Sequence, residues 1–148
     1  SNLFFDIKEQ IQNNYNLIGR LDFIFAKAKY SKFLNATAPI INTDKEIILY
    51  SCWHPLIEKD FAIKNDIFIG KDFTSLIITG PNTGGKTVAI KTVALNCMMA
   101  QYGLHVAAEE ADICMNSNFL CDIGDGQNLS ENLSTFSAHI TNVLDILK

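Results

Sequence analysis

Ser75-Leu76-Ile77-Ile78-Thr79-Gly80-Pro81-Asn82-Thr83-Gly84-Gly85-Lys86-Thr87 places a short apolar run, a glycine-rich turn and the opening of a helical pattern in direct succession. From Gly80 to Thr87 the chain fits G-x-x-x-x-G-K-[ST] in full. Glycines let the backbone curl so that successive N–H groups point at phosphate oxygens, where a side chain would block the approach. In such a loop Lys86 reaches the β- and γ-phosphates and Thr87 offers its hydroxyl to Mg²⁺. The helix that follows adds the partial positive charge of its N-terminus. The pattern predicts a cradle for the triphosphate of ATP, or a close relative, together with Mg²⁺. The run Ser75–Thr79 has the profile of a buried parallel strand. Strand, loop and helix in order predict an α/β domain whose sheet is at least partly parallel.

Upstream, residues 3–35 contain no proline and one glycine, Gly19. Leu17, Leu21, Ile24, Phe25, Ala28 and Phe33 recur at the three-and-four spacing of an amphipathic helix. Gly19 is a point where that helix could break in two. A continuous helix of this length would reach roughly 45 Å, which suits an arm or lever rather than one small core. Residues 36–46 read as a linker with a turn. Ile47-Ile48-Leu49-Tyr50 reads as a strand ended by Trp53-His54-Pro55. Residues 60–73 suggest short strands around a turn at Gly70-Lys71-Asp72.

Downstream, residues 86–100 predict a helix with an apolar stripe through Ile90, Val93, Ala94, Cys97 and Met98. Gly103 stands where a helix C-terminus favours glycine. Short strands are expected over 112–114 and 119–123. A further helix over 134–148 would be capped by Ser134 or Thr135.

The chain has 148 residues, 48% hydrophobic and 19% charged, which fits one ordinary globular domain or one with an appended element. A formal charge of −4 argues against a broad basic face for nucleic acid. No apolar run approaches the roughly 18 to 20 residues that span a bilayer, and the N-terminus lacks the features of a secretory signal. These features predict a cytoplasmic protein with no membrane contact. Cys52, Cys97, Cys114 and Cys121 lack metal-ligand spacing and read as reduced, buried thiols.

The catalytic complement is less complete than the cradle. Phosphoryl transfer in phosphate-loop proteins also needs an acid at a strand end and a residue that positions water. The best internal candidate, Phe119-Leu120-Cys121-Asp122, is short and followed by no second acid, so Asp122 and Asp125 read as turn or cap residues. His105 has no paired nucleophile and reads as a partly buried strand residue; His139 reads as structural. Glu109-Glu110 reads as a solvated pair.

Taken together, Gly80-Pro81-Asn82-Thr83-Gly84-Gly85-Lys86-Thr87, Trp53-His54-Pro55-Leu56 and Ser134-Thr135-Phe136-Ser137 resemble the ATPase core of MutS proteins. Thr83, Lys86-Thr87-Val88 and Ser134 to His139 are closest to the second bacterial branch of that family, the recombination-suppressing or ribosome-associated type. The resemblance spans essentially the whole chain. It implies an ABC-type P-loop NTPase with a mixed sheet, incomplete here. Residues 1–38 would form the lever or connector helix segment and residues 39–148 the N-terminal part of the ATPase domain. Gly80, Pro81, Asn82, Thr83, Gly84, Gly85, Lys86 and Thr87 would hold ATP, with Thr87 on Mg²⁺ and Asn82 near the γ-phosphate. Phe61 takes the place of an adenine-stacking residue, and Gln127 lies in the stretch before the signature. Ser134 matches a signature serine that contacts the γ-phosphate of the opposite subunit, so the site would be shared across a homodimer. His54-Pro55 matches the family's His-Pro, with Trp53 where arginine is usual. The family's Asp-Glu strand follows the signature helix, so this stretch is expected to end before the catalytic acid and to bind nucleotide without efficient hydrolysis. The parent would be an ATPase acting in DNA repair or recombination control, touching DNA or the ribosome through other regions.

Two other readings remain open at the level of sequence. A small P-loop nucleotide kinase would need arginines in a lid, and Arg20 is the only arginine. A non-catalytic nucleotide-binding assembly module would associate without regard to nucleotide.

Overall fold

A computed structural model describes residues 2–58, 60–81, 85–120 and Leu144, with side-chain detail from Ile7 onward. The chain divides into two compact units, residues 1–115 and 116–148. The architecture below belongs to the first. Of the expected helix over 134–148, Leu144 is helical and the remainder lies outside the described residues, as do residues 121–123 of the expected last strand. Phe119 and Leu120 form no strand.

Helix α1 (Asn2–Leu34) runs unbroken through Gly19. One glycine in a helix costs only about 1 kcal/mol, too little to break a pattern sustained on both sides. The helix ends at Asn35, whose left-handed φ of 55° lets Ala36 N donate to Ser31 O and Asn35 N to Lys32 O. These two bonds satisfy carbonyls that the last turn leaves without helical partners.

Four strands form one mixed sheet in the order β1 (Ile40–Asn42), β4 (Glu110–Cys114), β2 (Ile47–Cys52), β3 (Asn65–Ile69). β1 runs parallel to β4, while β2 is antiparallel to both β4 and β3. The α/β class and the mixed sheet match the expectation. β1 does not: it lies inside the stretch read as linker, because its ladder partner is 72 residues away at Asp112–Cys114. Asn42 fastens that junction by donating to Asp112 Oδ1 at 2.6 Å and Glu46 O at 3.1 Å.

The clearest correction concerns Ser75–Thr79. This segment forms no strand, and Ile77 is 84% exposed. A strand exists only through its ladder, and no described segment pairs with residues 75–79.

Helix α2 (Lys86–Gln101) lies against β4. Its buried residues are Thr92, Asn96, Cys97, Met99 and Ala100. Ile90, assigned to the inner stripe from sequence, is 48% exposed. Two polar residues occupy the inner face because their hydrogen bonds are met locally: Thr92 Oγ1 donates to Val88 O at 2.8 Å, and Asn96 Nδ2 to Thr92 O at 2.9 Å. The core collects Leu49, Cys52, Trp53, Ile67, Cys97, Val106, Ala111, Ile113 and Cys114. Cys52, Cys97 and Cys114 are buried free thiols. Desolvation pushes Cys97 up to about 12, helped by its thiol neighbours Cys114 and Cys52, and pushes Cys52 up to about 11. Cys121 lies outside the described residues. No helix among the described residues is long and apolar enough to cross a membrane.

Candidate nucleotide-binding site

The glycine-rich loop ends where α2 begins. Gly85 is the N-cap residue at φ 77° and ψ 11°, and no side chain caps the helix. Gly80, at the other end of the loop, has φ 149°. Both angles lie where a Cβ is strained. Among the described residues, and apart from its own chain neighbours, neither glycine has an atom within 4 Å of where a Cβ would stand. Asn82, Thr83 and Gly84 lie outside the described residues. Pro81 and Thr87 are exposed, and the Lys86 ammonium donates to the backbone carbonyl of Gly80. The lysine is thus folded toward the mouth of its own loop.

Beside the loop is a cleft of about 330 Å³ lined by Ile57, Phe61, Ile63, Ile78, Val88 and Ala89 among apolar residues, and by His54, Asn65, Thr79, Lys86 and Thr92 among polar ones. Three sequence-predicted elements therefore converge: the loop end, Lys86, and Phe61. Phe61 is 76% exposed and free to present its ring to a ligand. His54 of the His-Pro pair also lines the cleft; its Nδ1 accepts from Leu56 N at 3.3 Å, which leaves Nε2 as the protonated nitrogen of the neutral ring. The residues fit a nucleotide: glycines with open space for phosphate, an uncapped helix N-terminus, a cation, and an apolar recess of base size.

A set of hydrogen bonds holds the cleft to the sheet. Asp66 Oδ1 accepts from Ser51 N at 2.7 Å, fixing a bulge at which Ser51 takes φ 47°. Past the bulge, Trp53 N donates to Ala107 O at 2.9 Å. Asn96, fully buried, donates to Trp53 O at 3.3 Å and accepts from Ala107 N at 2.7 Å. One carboxamide therefore binds α2 to both segments that flank it.

Other sequence candidates fall elsewhere. His105 is exposed and outside any strand, with Nδ1 2.7 Å from Ser31 Oγ on α1; the strand reading fails because β4 begins only at Glu110. Glu109 pairs with Lys64 at 2.6 Å, and that hydrogen bond and charge hold its carboxyl below the usual range. Asp122, Asp125, Gln127, Ser134 and His139 lie outside the described residues. Sequence reasoning missed Asn65 and Asn96. An isolated asparagine carries no pattern; only the fold brings Asn65 to the cleft and Asn96 between Trp53 and Ala107.

Residues 76–148 match the family model described as MutS domain V. The chain is 49% identical over 139 residues to an endonuclease MutS2 of Bacillus mycoides (strain KBAB4), covering 93% of this chain and 18% of that protein. It is 52% identical over 136 residues to an endonuclease MutS2 of Bacillus cytotoxicus, covering 91% and 17%. An endonuclease MutS2 of Bacillus thuringiensis (strain Al Hakam) is 48% identical over 139 residues. The chain spans less than a fifth of the length of these curated relatives. Domain V is the ATPase domain of MutS proteins and implies a nucleotide site. Over these residues the chain is therefore similar to MutS2 proteins, with the domain match confined to its second half.

Proposed function

We propose that these residues bind ATP with Mg²⁺ as part of a MutS-like ATPase of the ABC-type P-loop class. Residues 1–38 serve as its connector helix segment and residues 39–148 as the N-terminal part of the ATPase domain. The observation that carries this reading is the convergence at the start of α2. A glycine-flanked mouth, with Lys86 turned onto the Gly80 carbonyl, adjoins a cleft that has Phe61 on its wall. Lys86 contacts the β- and γ-phosphates, the loop amides and helix N-terminus balance their charge, Thr87 ligates Mg²⁺, and Phe61 stacks on the base. The magnesium ion, when bound, neutralises phosphate charge. Ser134 of a second subunit completes the site, and the parent protein acts on DNA or the ribosome in the cytoplasm through its other regions.

Calorimetry with ATP and Mg²⁺ tests the reading. Lys86→Ala should weaken binding about tenfold to a hundredfold, the worth of a charge-assisted phosphate contact. Equal affinities would sink it. Sedimentation with and without nucleotide tests the shared site: association should rise with ATP and Mg²⁺, and dimers indifferent to nucleotide would point to an assembly module instead.

A further inference from the structure

The cleft beside the loop has apolar walls, and its polar side chains away from the loop are few: His54, Asn65 and Thr92. Thr92 spends its hydroxyl hydrogen on Val88 O within its own helix. His54 offers the cleft only a donor in its neutral form, since Nδ1 is occupied by Leu56 N. Asn65 is different. Its Nδ2 donates to the backbone carbonyl of Ile63 at 3.4 Å. The amide oxygen cannot take that position, because it would face another oxygen with no hydrogen between them. The carboxamide is therefore oriented, and its Oδ1 accepts no hydrogen bond among the described residues. Asn65 begins β3, so a strand rather than a loop sets its backbone.

We propose that Asn65 is a specificity-determining residue that selects a 6-amino purine over a 6-oxo purine at this site. The proposal rests on the nucleotide reading above and adds the base to it. With Phe61 against the ring face, Oδ1 accepts a hydrogen from the exocyclic amine at position 6 of adenine. Guanine and hypoxanthine carry an oxygen there, and two acceptors would oppose each other. An asparagine carboxamide discriminates adenine in the same way elsewhere, by matching a donor on the base. Ile57 and Ile63, also on the walls, have side chains with no hydrogen-bonding group to blur the choice.

Calorimetric titration of the 148-residue chain with ADP, IDP and GDP, each with Mg²⁺, tests this. The wild type should bind ADP about tenfold more tightly than IDP, the scale of one net hydrogen bond plus an avoided acceptor clash. Asn65→Leu should weaken ADP, which loses a hydrogen bond, and not weaken IDP, which loses a clash, so that the two affinities converge. Asn65→Asp keeps an acceptor but loses the hydrogen that holds it to the Ile63 carbonyl, so the ratio of ADP to IDP should fall here as well. A thermal melt checks that each variant folds; Asn65 is exposed, so little loss is expected. An unchanged ratio in Asn65→Leu, or a wild type indifferent to the base, overturns the inference. If Lys86→Ala still weakens all three nucleotides in that case, the phosphate site stands and only the base assignment falls. A wild type that binds none of them overturns both.

Discussion

The two ends of helix α2 are built on opposite plans. At its start, Gly85 and Thr87 are exposed, no side chain caps the backbone, and Ile90 one turn in is still half exposed. At its end, Asn96, Cys97, Met99 and Ala100 are buried. The last carbonyls there are closed by Gly103 N on Ala100 O and Leu104 N on Met99 O, both at 2.9 Å. Lys27 of α1 adds a cation to this end, donating to Tyr102 O at 2.7 Å. The sign of the helix dipole suits both arrangements: partial positive charge faces the loop, and a lysine meets the negative end. A helix held firmly at one end can present bare backbone at the other, because the burial that fixes it does not depend on the exposed turn.

That contrast implies that substitutions at the far end should act on stability and those at the near end on ligand. The largest effect is expected from Asn96→Leu, which leaves Ala107 N and Trp53 O without the side chain they bond. A loss of about 2–4 kcal/mol should appear in urea denaturation, as for a buried polar network stripped of its centre. A loss below half a kcal/mol would break the comparison. Lys86→Ala should cost about 1.5–3 kcal/mol of nucleotide affinity yet leave the denaturation midpoint of the free chain near wild type. A large drop in the midpoint would mean that the near end also holds the fold. Gly103→Ala should destabilise by about 1–2 kcal/mol, the penalty of a Cβ in the left-handed region; its φ is 69°. Lys27→Met is the gentlest probe. Removing a cation from an exposed helix end should cost about 0.3–1 kcal/mol, and the difference should shrink in high salt.

Legibility from sequence follows the same division. The glycine-rich turn into α2 could be read directly because its requirement is local: glycine at positive φ, then lysine and threonine at the helix start. The helix over residues 86–100, observed to end at Gln101, and Gly103 just past it were equally local readings. Thr92 and Asn96 were passed over for the inner face of α2 because an apolar stripe does not register polar side chains whose bonds are met by Val88, Thr92 and Trp53 carbonyls. β1 was hidden in an apparent linker, while Ser75–Thr79 had the composition of a strand and no partner among the described residues with which to form one.

Short-range chemistry in the residue order therefore decided the glycine-rich turn into α2, the extent of α2 to within one residue, the start of β2, and the burial of Cys52, Cys97 and Cys114. The folded arrangement alone decided that Phe61, His54 and Asn65 line one cleft beside that cradle. It likewise decided that Asn96 ties α2 to two separate segments, and that Lys27 on α1 meets the end of α2. Those contacts join residues tens of positions apart, and the free energy that creates them comes from packing and buried hydrogen bonds that exist only once the chain has closed.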